Sequence, residues 1–330
     1  MRKRIAVFTA VLLAATVTGT LIWYYASSPK ESTPIRIAIN TWPGYSHVFL
    51  AQEKGIFKRN GVLVELLHIP EYSDAQEAFK NGTADGVFQV FTDTIMQHSI
   101  LPSKVVYVSD YSDTADVIVG NVDAMSNLSR RTVGVEGLFT FSHIFVLNAL
   151  LRAGVSEENI QLEIIPAHEV LLALDQGRID AGLTWEPTLS NAIDKGYKIL
   201  AQAGDSPGII ADLLVFRADL IEERPEEIQA IVQSMVEAHE YREEHWDESI
   251  RIMAKAVGMS EAEMVSGLRG TKQIGRDGNR DALNKSDAPD SLHNTGEFIV
   301  NFFMKRGQLS SIVSFNEIIE PKFVNNLTGK

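Results

Sequence analysis

The sequence predicts an α/β fold of two similar lobes followed by a helical C-terminal part. Strand and helix patterns alternate in both halves of the chain in the order strand, helix, strand, helix, strand. This alternation is typical of parallel-type sheets with helical crossovers. Beyond residue 224 only helical spacing of apolar residues continues.

Two stretches displaced by 95 positions (78 to 173) echo each other: 78–86 reads AFKNGTADG and 173–181 reads ALDQGRIDA. In each, a helix pattern ends at a glycine, Gly82 or Gly177, that suits the left-handed position after a helix. An apolar strand then follows an aspartate. Chance similarity of two helix-to-strand joints also fits the echo, because such joints are common in α/β chains. If it marks two lobes, the cleft between them is the expected place for a ligand.

Length and composition favour a globular protein with two cores. A chain of 330 residues exceeds the size at which single cores stop growing, and 45% hydrophobic with 22% charged residues is ordinary for globular proteins. The formal net charge of -13 repels phosphate backbones, so no nucleic acid is expected as a partner. The absence of cysteine excludes a disulfide framework, a thiolate metal site and a cysteine nucleophile.

Residues 1–33 are predicted to be a leader that directs the rest of the chain out of the cytoplasm. A basic start at 2–4 precedes an uncharged run over 5–25. Such a run is either a signal peptide or an N-terminal membrane anchor plus linker. Its length and the aromatic cluster at 23–25 favour an anchor, whereas 26–28 offers a passable cleavage site. Either way the body is expected on the periplasmic or extracellular face, anchored to the inner membrane if the leader is retained.

The first half of the chain begins with alternating, β-branched residues typical of a strand. Predicted strands lie at 35–39, 62–67, 86–91, 105–108 and 116–120, and predicted helices at 47–53 and 73–80. Ser73 is the expected N-cap of the second helix.

The second half repeats this order and then changes to helices. Predicted strands lie at 132–136, 162–165, 181–185 and 209–216, and predicted helices at 141–154, 168–174, 225–238, 246–257 and 291–303. Pro225 suits a first helical turn, because its missing N–H does no harm there. Residues 275–281 are predicted to be a polar loop whose spacing does not fit a calcium site.

Candidate ligand-binding residues follow the predicted strands. In parallel α/β sheets, ligands meet the carboxyl ends of strands and the N-termini of the next helices. Four segments fall there, at 41–46, 91–94, 137–142 and 185–187. The candidates within them are Trp42, Tyr45, Asp93, Thr94, Phe139, Thr140, Ser142, Trp185 and Glu186.

Each candidate also has a purely structural interpretation. Trp42 and Trp185 can be core residues, although a tryptophan beside glycine or proline at a strand end is harder to bury than one within a strand. Thr140 or Ser142 can simply cap a helix. The two acids can be solvated surface groups.

No catalytic or metal site and no cofactor are predicted. Ser142 and His143 are neighbours on a helix, so their side chains point about 100° apart and do not form a nucleophile–base pair. The histidines lack metal-ligand spacing, and neither a GxxxxGK nor a GxGxxG motif occurs. The expectation is a binding protein rather than an enzyme.

Several segments, in this order along the chain, resemble one known family. They are 35–66 with Trp42-Pro43-Gly44-Tyr45, both echo stretches, 110–119, 184–187 and 206–215. They resemble the nitrate/sulfonate/taurine group of solute-binding proteins of ABC importers, which shares its fold with thiamine-pyrimidine synthases. The likeness runs from about residue 35 to about 255 and is weaker beyond.

The resemblance implies a type II periplasmic-binding fold with two hinge crossings. Lobe 1 would contain 34–118 and 217–330, and lobe 2 would contain 119–216. The ligand would be caught as the lobes close, each lobe supplying part of its surroundings.

The resemblance also implies site residues. The family's aromatic residue after the first strand matches Trp42, and its W-E-P element matches 185–187. Asp116 and Asp212 match positions at the crossings, where such residues line the cleft or stabilise the hinge. Asp212 therefore joins the ligand-binding candidates.

The charge of these candidates departs from what the resembled family's ligands would suggest. A nitrate or sulfonate should meet basic side chains or several N–H donors, and only the 137–142 turn offers donors here. The candidate acids and aromatic rings instead suit a small nitrogenous or cationic metabolite.

Partners and rival functions follow from the same resemblance. The expected partners are the small-molecule ligand and an ABC permease in the membrane, and the chain is expected to be a monomer. One rival is a membrane-anchored sensing lobe that serves a signalling protein instead of a permease. Another is a thiamine-pyrimidine-synthase-like enzyme, whose clustered cysteines are absent here.

Overall fold

The structure is a computed structural model that describes residues 33–286, 288, 291–309 and 314–329. Ile35–Lys330 pack as one compact unit. The predicted signal peptide or membrane anchor lies outside the described residues. Within the described part of the chain, none of the helices is long and apolar enough to cross a membrane.

The strands follow the predicted order with small shifts of their ends. They are β1 (Ile35–Ile39), β2 (Val64–His68), β3 (Gly86–Val90), β4 (Ser103–Ser112), β5 (Val117–Gly120), β6 (Thr132–Val135), β7 (Gln161–Ile164), β8 (Ala181–Thr184), β9 (Lys198–Gln202), β10 (Ala211–Arg217) and β11 (Thr271–Gln273).

The helices surround these strands and make up most of the last third of the chain. They are α1 (His47–Glu53), α2 (Ile56–Arg59), α3 (Tyr72–Lys80), α4 (Phe91–Gln97), α5 (Phe141–Arg152), α6 (Val170–Asp175), α7 (Thr188–Asp194), α8 (Ala218–Glu223), α9 (Pro225–Glu244), α10 (Trp246–Val257), α11 (Glu261–Arg269), α12 (Arg276–Leu283), α13 (Leu292–Lys305), α14 (Phe315–Ile318) and α15 (Lys322–Asn325).

The strands form two sheets, which confirms the predicted α/β fold class with a helical C-terminal part. The first sheet has the order β11-β4-β10-β3-β1-β2 and the second has the order β7-β6-β8-β5-β9. In each sheet three neighbouring strands run parallel, namely β2, β1 and β3 in the first sheet and β7, β6 and β8 in the second. Strands β10 and β5 run antiparallel to their neighbours because each enters its sheet directly from the other sheet.

The chain passes between the sheets at two crossings. The first lies between Ser112 and Val117, and the second between Gln202 and Ala211. Strand β5 pairs entirely within the second sheet and β10 within the first, so the sheets change a few residues before the positions 118 and 216 expected from the sequence. The division into two lobes stays a prediction.

The echoed aspartates have the same structural role in the two sheets. The carboxylate of Asp85 accepts the backbone N–H of Arg36 at 2.9 Å, and that of Asp180 accepts the N–H of Thr132 at 3.0 Å. The backbone N–H of Asp85 in turn donates to the Arg36 carbonyl, and that of Asp180 donates to the Thr132 carbonyl, both at 2.8 Å. The preceding glycines have φ of 78° at Gly82 and 66° at Gly177, where a side chain would be strained. The motif therefore starts a strand beside its parallel neighbour.

The apolar stripe of α9 joins the helical C-terminal part to the first sheet. Ile228, Ile231, Val232 and Met235 are all fully buried. The helix packs against α1, which follows β1. This burial confirms the helix predicted from the spacing of these residues.

The predicted polar loop at 275–281 is wrong, because Arg276–Leu283 forms α12. Tertiary hydrogen bonds stabilise this helix despite its polar sequence. Asn279 is fully buried, and its side chain accepts the Val108 N–H at 2.7 Å and donates to the Val108 carbonyl at 2.9 Å. A local pattern does not show a bond to a strand so distant in sequence.

Replacing Asp85 with alanine is expected to lower the free energy of unfolding by about 1–3 kcal/mol, because the Arg36 N–H loses its acceptor. Equilibrium denaturation in urea measures the change. Glu77→Ala, at an exposed position of α3, is the control and should change stability by less than about 0.5 kcal/mol. Equal stabilities of the two variants would contradict the role assigned to Asp85.

Candidate ligand-binding site

A cavity of about 10 Å³ lies where the two sheets meet. It is lined by Asn40, Trp42, Tyr45, Tyr72, Val90, Asp116, Phe141, Trp185, Ile210 and Asp212. These residues come from the carboxyl ends of β1, β3 and β8, the first turns of α3 and α5, and the two crossings. The cavity therefore receives groups from both sheets, at the strand ends where α/β proteins bind ligands.

Five aromatic rings form a continuous wall of this cavity. Trp42 and Trp185 meet edge to face, with ring centroids 6.2 Å apart. The ring centroid of Tyr45 lies 6.4 Å from that of Trp42. At the other end of the pair, the ring centroid of Phe141 lies 6.2 Å from that of Trp185. Tyr72 closes the wall against Phe141 at 5.2 Å. The two rings of the second sheet thus lie between rings that follow strands of the first, so the wall spans the junction of the sheets.

A short 3₁₀ turn, Pro43–Tyr45, positions two of these rings. A Cβ atom on Gly44 would lie 2.0 Å from Asp110 Oδ2 and 2.6 Å from Trp42 Nε1, so only glycine fits there. The Gly44 carbonyl accepts the Ser109 hydroxyl at 2.7 Å. The turn therefore packs directly against Ser109 and Asp110 near the end of β4.

Carboxyl groups supply the charge of the site. Asp116 and Asp212 line the cavity and are each 3% exposed, while Asp93 and Asp110 lie behind the wall at 1% and 0% exposure. The described residues that line the cavity include no lysine, arginine or histidine. The described lining therefore offers acids without a basic partner.

Burial raises the pKa of every one of these carboxyl groups. It raises the pKa of Asp93 to about 7 and that of Asp110 to about 8. The pKa values of Asp116 and Asp212 are also raised well above their usual range, by burial first and then by repulsion from a neighbouring carboxylate. Glu136, at the start of the turn before α5, has a pKa raised by burial to about 7.

The aromatic residues hold the carboxyl groups in place. The Tyr72 hydroxyl donates to Asp93 Oδ2 at 2.6 Å and accepts the Val90 N–H at 3.0 Å. The Tyr45 hydroxyl donates to Asp212 Oδ1. The Trp42 indole N–H donates to Asp110 Oδ2 at 3.4 Å.

Three buried acceptor oxygens remain at the cavity. Asn40 Oδ1, Asp110 Oδ1 and Asp212 Oδ2 have no hydrogen-bond donor among the described residues. Buried polar atoms without a partner are rare in folded proteins and call for a proton, a solvent molecule or a ligand.

The structure brings part of the predicted site together. Trp42, Tyr45, Trp185 and Asp212 line the cavity. Asp93 lies one hydrogen bond behind it, through Tyr72.

Glu186 bonds across the junction of the sheets instead of lining the cavity. It is 3% exposed and accepts the Ser190 N–H and hydroxyl at 3.1 and 2.8 Å. It also accepts the Ser266 hydroxyl of α11 at 2.8 Å. Glu186 thus connects the segment after β8 to the helical C-terminal part.

The other candidates lie outside the cavity lining. The Thr94 hydroxyl, on α4, accepts the Gln89 side-chain amide at 2.9 Å. Thr140 and Ser142 hydrogen-bond to each other at 2.8 Å within the turn before α5. Phe139 is 44% exposed and has a positive φ of 65°.

Sequence reasoning missed Asn40, Tyr72, Asp110 and Phe141. Asn40 and Tyr72 follow β1 and β2, so the rule of strand ends and helix starts would have found them. Phe141 belongs to the 137–142 turn that was singled out. Asp110 lies within a long strand and gave no local signal, because only its position beside Asp212 makes it part of the site.

The sequence profile of the NMT1-like family matches residues 28–258, which is most of the chain. The chain belongs to this family. A provisionally named binding protein of Brucella abortus (strain 2308) is 21% identical over 251 residues, 74% of this NMT1-like chain and 78% of the relative. The taurine-binding periplasmic protein of Escherichia coli (strain K12) is 24% identical over 167 residues, 48% of this chain and 52% of the relative.

Solved structures show the same fold at low sequence identity. The periplasmic aliphatic sulphonate binding protein SsuA from Escherichia coli aligns with a TM-score of 0.69 at 18% identity, over 89% of this chain and 100% of that one. The desulfurization enzyme DSZB aligns with a TM-score of 0.64 at 15% identity, over 88% and 98% of the two chains. The comparisons confirm the family resemblance found in the sequence.

The stability of this NMT1-like protein is expected to fall as the pH rises from about 4 to about 7. In that window folded Asp93 keeps its proton, because its pKa is raised to about 7, while the unfolded chain has lost it. The folded state then binds more protons, so a rise in pH favours unfolding.

Asp93→Asn keeps an acceptor for Tyr72 and should make this slope shallower by up to about 1.4 kcal/mol per pH unit. Urea denaturation at a series of pH values measures the slope. Asp194→Asn, at an exposed position of α7, serves as control. A slope unchanged by Asp93→Asn would refute the raised pKa.

Proposed function

We propose that this chain is the extracytoplasmic solute-binding protein of an ABC importer and captures a small nitrogenous, cationic metabolite in the cavity between its sheets. The observation that carries the proposal is the cavity wall of aromatic rings and buried carboxyl groups, without a basic side chain among the described lining residues. The family membership supports the binding role, and the cavity chemistry supports the class of ligand.

Both the aromatic rings and the carboxyl groups of the lining would contribute to the binding free energy of a cation. Attraction between a cation and an aromatic face contributes about 0.5–2 kcal/mol, with the larger value in a desolvated site. A charge-assisted hydrogen bond to a carboxylate is roughly twice as strong as a neutral one. Asn40 Oδ1 and Asp212 Oδ2 are acceptors in need of N–H donors. An anion would meet no basic side chain among the described lining residues.

The cavity is nearly filled by the side chains that line it. Its volume of about 10 Å³ is far below the roughly 300–1,000 Å³ typical of sites for drug-sized ligands, so a ligand enters only as the lining side chains or the two sheets move apart. Five rings arranged around this space favour a flat or compact ligand whose charge meets their faces.

We infer that the two sheets belong to lobes that close on the ligand, since both supply lining residues. Two contacts outside the cavity support such a closed arrangement. The Ser266 hydroxyl donates to Glu186 Oε1 at 2.8 Å. His168 Nδ1 lies 2.7 Å from Glu71 Oε2. In this proposal the loaded protein delivers its ligand to a permease, and the leader keeps the body on the periplasmic or extracellular face.

An enzymatic role has less support from the cavity. One structural neighbour is a desulfurization enzyme, but likeness at that identity concerns the fold. The described lining residues include no serine, cysteine or lysine that would act as a nucleophile. Aromatic and carboxyl groups without such a residue favour binding.

A thermal-shift screen of the purified protein tests the ligand class. Guanidinium, choline, benzylamine and aminopyrimidines are compared with taurine, nitrate and an alkanesulfonate. At 100 times its dissociation constant, a bound ligand adds about 2.7 kcal/mol of stability, and we expect such stabilisation from the nitrogenous cations alone. Stabilisation by the anions with none from the amines would overturn the proposal.

Trp185→Leu is expected to weaken binding of a cation identified in this screen by about 3- to 30-fold. Leucine keeps an apolar side chain but removes the aromatic face, a loss of about 0.5–2 kcal/mol. Calorimetric titration measures the affinity. Trp246→Leu, on α10 outside the cavity, is the matched control. If both variants bind as tightly as the parent protein, the aromatic wall has no role in recognition.

A further inference from the structure

Asp110 and Asp212 face each other across two strands. In the antiparallel pairing of β4 with β10, Asp212 lies directly opposite Asp110. Their side chains therefore leave the sheet on the same face, next to the cavity. The two residues are 0% and 3% exposed. Two negative charges directly opposite each other in a buried site strongly destabilise a fold.

The hydrogen bonds of the pair leave one oxygen free on each side. Asp110 uses Oδ2 to accept the Trp42 indole N–H, and Asp212 uses Oδ1 to accept the Tyr45 hydroxyl. Asp110 Oδ1 and Asp212 Oδ2 have no other donor among the described residues. The cross-strand pairing makes the two carboxyl groups near neighbours on one face of the sheet. Since an ionised carboxylate only accepts, a bond between them requires a proton.

The groups around the pair are mostly acids and tyrosines, and few positive charges lie near enough to compensate a negative charge on the pair. The charged or titratable groups that interact with the pair are Tyr45, Tyr72, Asp93, Tyr107, Asp116 and Arg242. Arg242, of α9, is the one cation among these groups, and it already bonds to Gln273, His239 and Glu243. The neighbouring strand β11 places the neutral Gln273 opposite Asp110.

We propose that Asp110 and Asp212 hold one proton between them in the ligand-free protein, and that a cationic ligand enters the cavity in exchange for this proton. The exchange breaks one carboxyl O–H bond, the proton passes to a base in the solvent, and the positive charge of the ligand takes its place. No electrons are transferred. The first half of the proposal concerns the free protein alone, and the second half rests on the proposed function.

The shared proton explains how the fold tolerates the pair. With one proton between them, the two groups carry a single negative charge and both free oxygens gain a partner. Burial raises the pKa of Asp110 to about 8, in line with a proton retained at neutral pH. Affinity for a cation should then rise with pH, by up to tenfold per pH unit below that value, because fewer protons compete.

Infrared difference spectroscopy of the ligand-free protein tests the shared proton. Asp110→Asn and Asp212→Asn should each lose a carbonyl band of a protonated carboxyl group at neutral pH. Asp281→Asn, at an exposed position of α12, should not. Retention of the band in both pair variants would overturn the proposal.

A measurement on the unsubstituted protein keeps this test valid if the variants fail to fold. Nuclear magnetic resonance of labelled aspartate carboxyl carbons should show, besides the raised titrations of Asp93 and Asp116, two linked titrations of the pair, one near or above neutral pH and one widely separated from it. Titration of all aspartate carbons at acidic pH would overturn the shared proton.

Calorimetric titration with tetramethylammonium tests the exchange, because this cation carries no titratable proton of its own. Repeating it in buffers of different ionisation enthalpy counts the protons released. About one proton per bound cation is expected in the parent protein and none in either pair variant. Binding without proton release overturns the exchange. Absence of cation binding overturns it together with the proposed ligand class, whereas the infrared result on the free protein stands by itself.

Discussion

The site depends on the close approach of the Pro43–Tyr45 turn to strand β4. A side chain at Gly44 would overlap the carboxylate of Asp110, so glycine alone allows this contact. The contact places the Trp42 indole against Asp110 and the Tyr45 hydroxyl against Asp212. Two aromatic rings and two carboxyl groups thereby form one unit, anchored in the buried first sheet. The second sheet completes the cavity with Phe141 and Trp185.

Burial of several acids beside these rings costs free energy, because the charged form of a carboxyl group is poorly solvated there. Burial therefore raises the pKa of each group, and a bound proton neutralises the carboxylate where no counter-ion is present. A cationic ligand would compensate the same charge directly. The electrostatic feature that weakens the free protein is therefore the one that favours a cation over an anion, a relation between stability and function that is common at binding sites.

Much of the fold could be predicted from the sequence where burial and periodicity agree. The strand at Ile35–Ile39 and the helix at Trp246–Val257 have the predicted bounds, since their apolar residues follow one period and are buried. Strand β9 was missed because it is an edge strand with a largely exposed face and little alternation. Helix α12 was missed because hydrogen bonds from Asn279 to β4, rather than helix propensity, stabilise it.

The sequence by itself determined the α/β class, the family, and the aromatic residues Trp42 and Trp185 at strand ends, because these depend on spacing and order along the chain. Tertiary structure decided which acids belong to the site. Asp110 belongs to the site because it lies opposite Asp212 on the neighbouring strand. Glu186 lies outside the cavity lining, where it accepts a hydrogen bond from Ser266. Register and the meeting of two sheets join residues that are distant in sequence, and local patterns do not encode such contacts.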